Sequence, residues 1–564
     1  MRKTIISSIL ILALTMVSLP FIVACEGEVV PPDGEEEEEE APPAIVPEGE
    51  LVVLRASLAN EVWGVDIGDT DDREILGISN EHLVYWAREG QEETYYPGLA
   101  ERWELSPDGL TYDFYLRKGI PWHDGWGEFT AEDVKYTFDM IAREGSTSKE
   151  ATRFRVGGDG KLESVTVVDP YHFRVKLLQP DVLWLFNCVE ACSVIICKKY
   201  FETVGYDEAI RHPIGTGPWR FIEHKAGEYI RWEAVENHWR KTPDFKYLEM
   251  VCVPELSTRL AMLKTGAADL SPIPPANSAE LKAAGLTIKS LPAFGWISVA
   301  LGGDVLPTRK DYDPTCPWVI HQDEPLDSAW NQRALKVRKA LCYAINYNAI
   351  IDVILKGAAK PTPLAGYELG TLWSRPEWKP YPYDPEQAKQ LLAEAGYPNG
   401  FEKPITFDIF FSPGCPQYKE MALAICDCWE AIGIKVERNI TEYPAVKPVW
   451  SERRSAWRVS ISGFPTEYPE PWYLHYSLHN PENPGLTRME SYAIIELVEK
   501  CRTPDFDERV KATLDLGDYL YENFIDIGIA ITDGVFALSP KVAGWTPPTK
   551  GVARANYEYV SRAP

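Results

Sequence analysis

Residues 95–141 read "YYPGLAERWELSPDGLTYDFYLRKGIPWHDGWGEFTAEDVKYTFDMI", and their pattern decides how the chain is taken apart. Ser106-Pro107-Asp108-Gly109 is a turn: proline presets one dihedral, aspartate bonds its own backbone and glycine accepts positive φ. Beyond it Tyr112, Phe114 and Leu116 alternate with Asp113, Tyr115 and Arg117, the period of a strand with one buried face. The stretch therefore predicts a hairpin arm. A helix follows from Thr130, an N-cap with Asp133 three residues on, and Phe129 is placed to staple onto Val134.

The same signals recur outward from this stretch. "GELVVLRASL" reads as a first strand, and "ESVTVVDPYHFRVKLL" is a second hairpin around Asp169-Pro170. "GEYIRWEAVENHW" is another strand. "LSTRLAMLKTGAADL" is a short helix stopped by Gly266 and followed by a strand. "QRALKVRKALCYAINYNAIIDVIL" carries Val337, Leu341, Ala344 and Ile345 on one helical face. "YDPEQAKQLLAEAGYPNG" is bounded at both ends, by Asp384, Pro385 and Gln387 at its start and by Gly396 and Pro398 at its stop. "YKEMALAICDCWEAIGIKVERNI" runs helix, Gly433, strand. Helices alternating with strands through the second half predict α/β lobes. No internal repeat of fixed period is present.

At 564 residues and 45% hydrophobic content, the chain is long enough for two or more cores. Its first residues, MRKTIISSILILALTMVSLPFIVACEGE, have the layout of a secretory signal: basic Arg2 and Lys3, then an apolar stretch from Ile5 to Leu19. Residues 26–50 hold eleven acids, five prolines and no Lys or Arg. Such a segment buries too little to order itself, and self-repulsion and proline stiffen it into a stalk. Setting aside those eleven acids with Arg2 and Lys3 takes 84 acids and 57 bases to 73 and 55, a net charge of −18. That balance, with no basic stripe, argues against a nucleic-acid partner. Eleven cysteines include Cys188, Cys192 and Cys197 close together and the pair Cys426 and Cys428, without CxxC or zinc-finger spacing.

Five segments resemble, in order, the extracytoplasmic solute-binding proteins of ABC transporters, family 5, the dipeptide, oligopeptide and nickel group. They are the opening stretch, "HPIGTGPWRFIEHKAGEYIRWEAVENHW", "STRLAMLKTGAADL", "VRKALCYAINYNAIIDVIL" and "YDPEQAKQLLAEAGYPNGF". Ile22-Val23-Ala24-Cys25 likewise resembles the lipobox of bacterial lipoproteins, which are cut before the cysteine that receives lipid. The resemblance implies an α/β, two-lobed periplasmic-binding-protein fold, a clamshell with an extra small domain. It implies a signal peptide over 1–25 with Cys25 lipidated, a disordered stalk over 26–49, lobe I from 50–85, 213–300 and 536–564, an added domain over 86–212 packed on lobe I, and lobe II over 301–535. Two crossings between lobes, near 300 and near 535, make a hinge that closes over a ligand.

Many relatives carry a pattern like W-G-A-D-Y-P-D-P where this chain reads Phe464-Pro465-Thr466-Glu467-Tyr468-Pro469-Glu470-Pro471. Prolines at 465, 469 and 471 exclude an ordinary helix or central strand there and hold the acids on a rigid turn. By resemblance Glu467 takes the place of the aspartate that pairs with a peptide's α-ammonium, Phe464 that of a pocket tryptophan, and Tyr468 and Trp296 line the pocket. Glu470 stands at a second acid, which more often shapes the turn than meets ligand. His123 lies in a scaffold loop. His475 and His479, at i and i+4, can share a metal when helical, but no third ligand is evident and packed histidines are the simpler reading. No metal and no cofactor are expected.

The function implied is capture of an oligopeptide or other amine-bearing organic solute by a monomer outside the membrane, and its delivery to ABC permease subunits powered by cytoplasmic ATPases. The protein would be lipid-anchored on the outer face of the cytoplasmic membrane or in the periplasm. An oligosaccharide, suited by nineteen tryptophans, or a metal chelate is the alternative ligand. From other classes come an exported hydrolase and a surface sensor. HExxH, GxSxG and GxxxxGK[ST] are absent, and acids at i and i+3 on a proline-locked turn are badly placed to flank a glycosidic bond, so no enzyme activity is expected.

Overall fold

A computed structural model describes residues 46–564 apart from 68–69, 90–91, 149–150, 159, 183, 190–193, 305, 411–416, 466–469, 482–487 and 548–555. Cys25, the signal and the stalk up to residue 45 lie outside the described residues. Among the described residues no helix is long and apolar enough to cross a membrane.

An 11-stranded mixed sheet organises the chain. Its order is Val436–Thr441, Ile405–Phe410, Arg458–Pro465, Thr287–Leu301, Ile527–Leu538, Leu270–Ile273, Glu50–Arg55, Tyr247–Cys252, Tyr229–Ala234 and Trp219–Lys225, with Ala359–Pro361 paired to Ile527–Leu538. Two large cores flank it. One gathers residues from Leu51 to Met250 with Leu538 to Val560. The other gathers Ile297 to Ala530. Among the described residues two strands run from one core region into the other. The first crossing strand, Thr287–Leu301, has Ile288 against a satellite cluster of Leu54, Leu281 and Val535, and Ile297 in the second core. The second, Ile527–Leu538, starts in the second core and ends at Leu538 in the first.

These strands pair antiparallel, and their register breaks between Leu291 and Gly295. Ala293 there takes φ 53°, which a residue with a Cβ adopts only under constraint. Asp533 supplies it: one carboxylate oxygen accepts from the Ala293 amide at 3.1 Å and the other from Ser290 Oγ at 3.1 Å. Opposite, a Cβ on Gly534 would lie 2.8 Å from the Phe294 ring. The bulge is thus a specified kink at the point where the chain passes between cores.

The hairpins and caps read from sequence form. Ala100–Leu105 and Thr111–Leu116 flank the Ser106–Gly109 turn, and Leu162–Asp169 with His172–Leu177 completes a four-stranded sheet. Thr130 and Asp133 make a reciprocal capping box on the Ala131–Ala142 helix, with Phe129 and Val134 both buried. The "IGTGPW" and "WHDG" segments meet as scaffold. His123 donates its backbone amide to Gly215 O, and its Nε2 lies 2.9 Å from Gly217 O. A Cβ on Gly215 would stand 1.7 Å from Ser79 O, so no other residue fits. Burial lowers the His123 pKa to about 4, which keeps the ring neutral in this packing role.

One expectation is corrected. The prolines of 461–476 do not exclude regular structure. Arg458–Pro465 is a central strand, parallel to Ile405–Phe410 on one side and antiparallel to the first crossing strand on the other. Pro471–His479 is a helix. Pro465 is the last residue of its strand, and Pro471 is the first of its helix, where the missing N–H would be unsatisfied anyway. Among the described residues Cys197, Cys252, Cys316, Cys342, Cys426, Cys428 and Cys501 are free thiols. Cys192 lies outside the described residues.

Candidate functional site

Register pairs two of the sequence-selected residues, Trp296 and Phe464. Trp296 on the first crossing strand stands opposite Phe464 on one side and Ile531 on the other. The Arg458–Pro465 strand therefore ends, at Pro465 opposite Gly295, beside the first crossing strand at its kink. Gly463 makes this approach possible, because a Cβ there would stand 1.9 Å from Tyr418 Oη and 2.8 Å from Trp296 O. Glu467 and Tyr468 lie outside the described residues, and Phe464 is placed by its backbone alone.

Trp296 is 2% exposed and packs with Ala293, Ala365, Leu474, Leu478 and Ile531. The Arg488 guanidinium lies over its ring, 5.2 Å from the centroid, a cation–π contact strengthened by desolvation. Arg488 is itself buried. It donates to Asp526 Oδ1 at 2.5 Å, Ser298 Oγ at 2.6 Å and Ser462 Oγ at 2.9 Å. It thereby ties the first crossing strand, the Arg458–Pro465 strand and the head of the second crossing strand together under Trp296.

Glu470 is buried at the N-cap of the Pro471–His479 helix. Both carboxylate oxygens accept from Arg509 Nε at 2.9 Å, and Oε2 also accepts from Trp472 Nε1 at 2.6 Å. Burial pushes its carboxyl up, and Arg509 pulls it back. These bonds leave Glu470 engaged within the fold. His475 and His479 are in the helix, fully buried, with ring planes 15° apart. The third group absent from the sequence reading is present: Asp526 joins them, with ligand-type atoms of all three within 4.8 Å of one another.

Sequence reasoning missed Arg488, Asp526 and Arg509. Asp526 left a signal, an acid inside the apolar run Ile525, Ile527 and Ile529, since a charge there must be paired when buried. Arg488 and Arg509 left none.

A second buried acid cluster lies nearby in the chain. Glu490 accepts from Arg309 at 2.9 Å and Arg453 at 2.8 Å. Desolvation, and then the charge of Glu490, pushes Asp304 up to about 7. The folded chain therefore binds this proton more tightly than the unfolded chain, whose Asp titrates near 4. The stability contributed by Asp304 is present in acid and is lost as pH rises through that window. Asp304→Asn is expected to raise stability at pH 8 by about 1–2 kcal/mol and to change it little at pH 4. Denaturant unfolding at the two pH values checks this. A pH-independent change contradicts it.

Residues 94–485 match the family model of the bacterial extracellular solute-binding proteins, family 5 Middle. The heme-binding protein A of Haemophilus influenzae is 29% identical over 475 residues, covering 80% of this chain and 81% of that protein. The dipeptide-binding protein of Escherichia coli is 29% identical over 361 residues, covering 60% of this chain and 62% of its own length. Among solved structures, the periplasmic binding protein DppA from Helicobacter pylori, in complex with peptide STSA, superposes with TM-score 0.73 at 23% identity, over 91% of this chain and 98% of that one. NikZ from Campylobacter jejuni, in complex with Ni(L-His), gives TM-score 0.72 at 21% identity, over 92% and 100%. The architecture is thus the two-lobed α/β fold of periplasmic binding proteins.

Proposed function

Because the chain belongs to the bacterial extracellular solute-binding proteins of family 5, we propose that it captures an oligopeptide, or another organic solute bearing a free amine, and hands it to the permease of an ABC importer. The observation that carries this reading is where the described residues on either side of 466–469 stand. Pro465 ends its strand opposite Gly295, at the kinked crossing strands, and Glu470 is bonded to Arg509. Glu467 on that loop would meet the solute's ammonium group, with Tyr468, Phe464 and Trp296 as apolar walls. Relatives are named for heme, dipeptide and glutathione. An acid at position 467, if it meets the solute, favours an amine among these. Lobe closure about the Leu291–Gly295 kink would exclude water and strengthen that charge-assisted bond. Export behind the signal and lipid attachment at Cys25 complete the proposal.

The test is titration calorimetry with a panel of di- to hexapeptides. A hydrogen bond to a charged group is worth about 1.5–3 kcal/mol. Glu467→Gln is therefore expected to weaken a peptide with a free N-terminus by about ten- to hundredfold, and N-acetylation of that peptide should weaken the wild type comparably. Equal affinities of wild type and variant for the free peptide would remove Glu467 from the site. Binding of no peptide would remove the peptide reading and leave the fold untouched.

A further inference from the structure

The cluster behind Trp296 is independent of the peptide reading and has the donor chemistry of a cation site. His475 and His479 lie one turn apart on the Pro471–His479 helix, and Asp526 heads the second crossing strand; the side chains of all three are 0% exposed. His475 Nε2 sits 3.1 Å from Ala365 O, and His479 Nδ1 sits 2.8 Å from Met489 O. A carbonyl only accepts, so these two nitrogens carry the hydrogens. In a neutral imidazole the lone pair is then on the other nitrogen.

Those other nitrogens point at the carboxylate. His475 Nδ1 is 3.6 Å from Asp526 Oδ2, and His479 Nε2 is 3.8 Å from Oδ1. His475 Nδ1, His479 Nε2 and Asp526 Oδ2 are buried without a hydrogen-bond partner among the described residues. Three lone-pair donors converge in a buried interior, an arrangement that is repulsive unless something positive lies between them.

The surroundings match those of a held metal. Each histidine donates its remote N–H to a backbone carbonyl, and Arg488 bonds Asp526 Oδ1, which leaves Oδ2 to coordinate; outer contacts of this type orient metal ligands. Zinc bonds of about 2.0–2.2 Å to N and O in tetrahedral geometry place ligand atoms roughly 3.3–3.5 Å apart. The His–Asp spacings of 3.6 and 3.8 Å need to contract by a few tenths of an ångström, and the three donor atoms, which lie within 4.8 Å of one another, close by about 1 Å at most beyond that. Two imidazoles and one carboxylate suit zinc, cobalt or nickel better than calcium or magnesium, which take oxygen shells. We propose that His475, His479 and Asp526 form a resident site for a divalent first-row transition cation, with the fourth position taken by water. The positive charge of Arg488 weakens the site relative to an isolated His2Asp set. Bound cation would fasten the helix that follows the acid loop to the second crossing strand.

The test uses the full chain without a histidine tag, stripped with chelator and dialysed. Zn2+ binding is followed by elemental analysis after gel filtration, and Co2+ binding by visible absorption. The expected results are one equivalent of Zn2+ per chain, a raised Tm with Zn2+, and Co2+ bands of a four- or five-coordinate ion. His479→Gln and Asp526→Asn should each weaken Zn2+ at least tenfold. Absence of stoichiometric Zn2+ in the wild type, a Co2+ spectrum of the hydrated six-coordinate ion, or undiminished binding in a folded variant overturns the proposal. The wild-type Co2+ spectrum decides the matter even if neither variant folds.

Discussion

Arg488→Met, in metal-free protein, is expected to lower the unfolding free energy by about 3–5 kcal/mol. Asp526 is fully buried and Arg488 is its close cationic partner, at 2.5 Å. A methionine keeps much of the volume and none of the donors. The carboxylate then remains in a low-dielectric interior with nothing to offset its desolvation, and Ser298 and Ser462 lose the guanidinium they share. Breaking one side of a buried pair costs far more than replacing both sides with apolar groups. Arg488→Met combined with Asp526→Leu should therefore recover most of the loss. Urea unfolding of the single and double variants measures both quantities. A loss below about 1 kcal/mol in the single variant would mean that water reaches Asp526 and that the pair is not buried in solution.

The second large effect concerns the loop anchor. Arg509→Met is expected to cost about 3–5 kcal/mol at pH 8, because among the described residues Glu470 keeps only the Trp472 N–H as a donor. Burial already raises the Glu470 carboxyl, and Arg509 is the strongest influence lowering it. Without Arg509 the folded-state pKa rises further above the unfolded value. The folded variant then binds its proton more tightly than the unfolded chain, and its stability falls as pH rises through that window. The deficit should be largest at pH 8 and should shrink toward pH 5. Unfolding of wild type and variant at both values checks this, and a deficit independent of pH contradicts it. Glu467→Gln should act in the opposite manner, on affinity and little on unfolding. The pair of variants thus separates the residue that would touch ligand from the one that holds its loop.

Local features of the fold were legible because their causes lie within a few residues. The Ser106–Gly109 turn, the Thr130–Asp133 box and the Asp384 cap, which accepts from the Gln387 amide at 2.9 Å, follow from side chains reaching their own backbone. The prolines of 461–476 misled for an equally local reason. Their effect depends on whether each sits inside an element or at its boundary, and Pro465 and Pro471 both sit at boundaries.

By itself the sequence determined the family, the α/β alternation, the caps and turns, and a loop where acids and rings stand together. Tertiary structure alone decided which polar groups meet. Arg488 reaches Ser298 across 190 residues, Asp533 holds Ala293 across 240, and Arg509 takes Glu470 across 39. Turns and caps are properties of neighbouring dihedrals, which adjacent residues dictate. A buried charge, by contrast, is tolerated only where packing brings it a partner, and packing is a property of the whole chain.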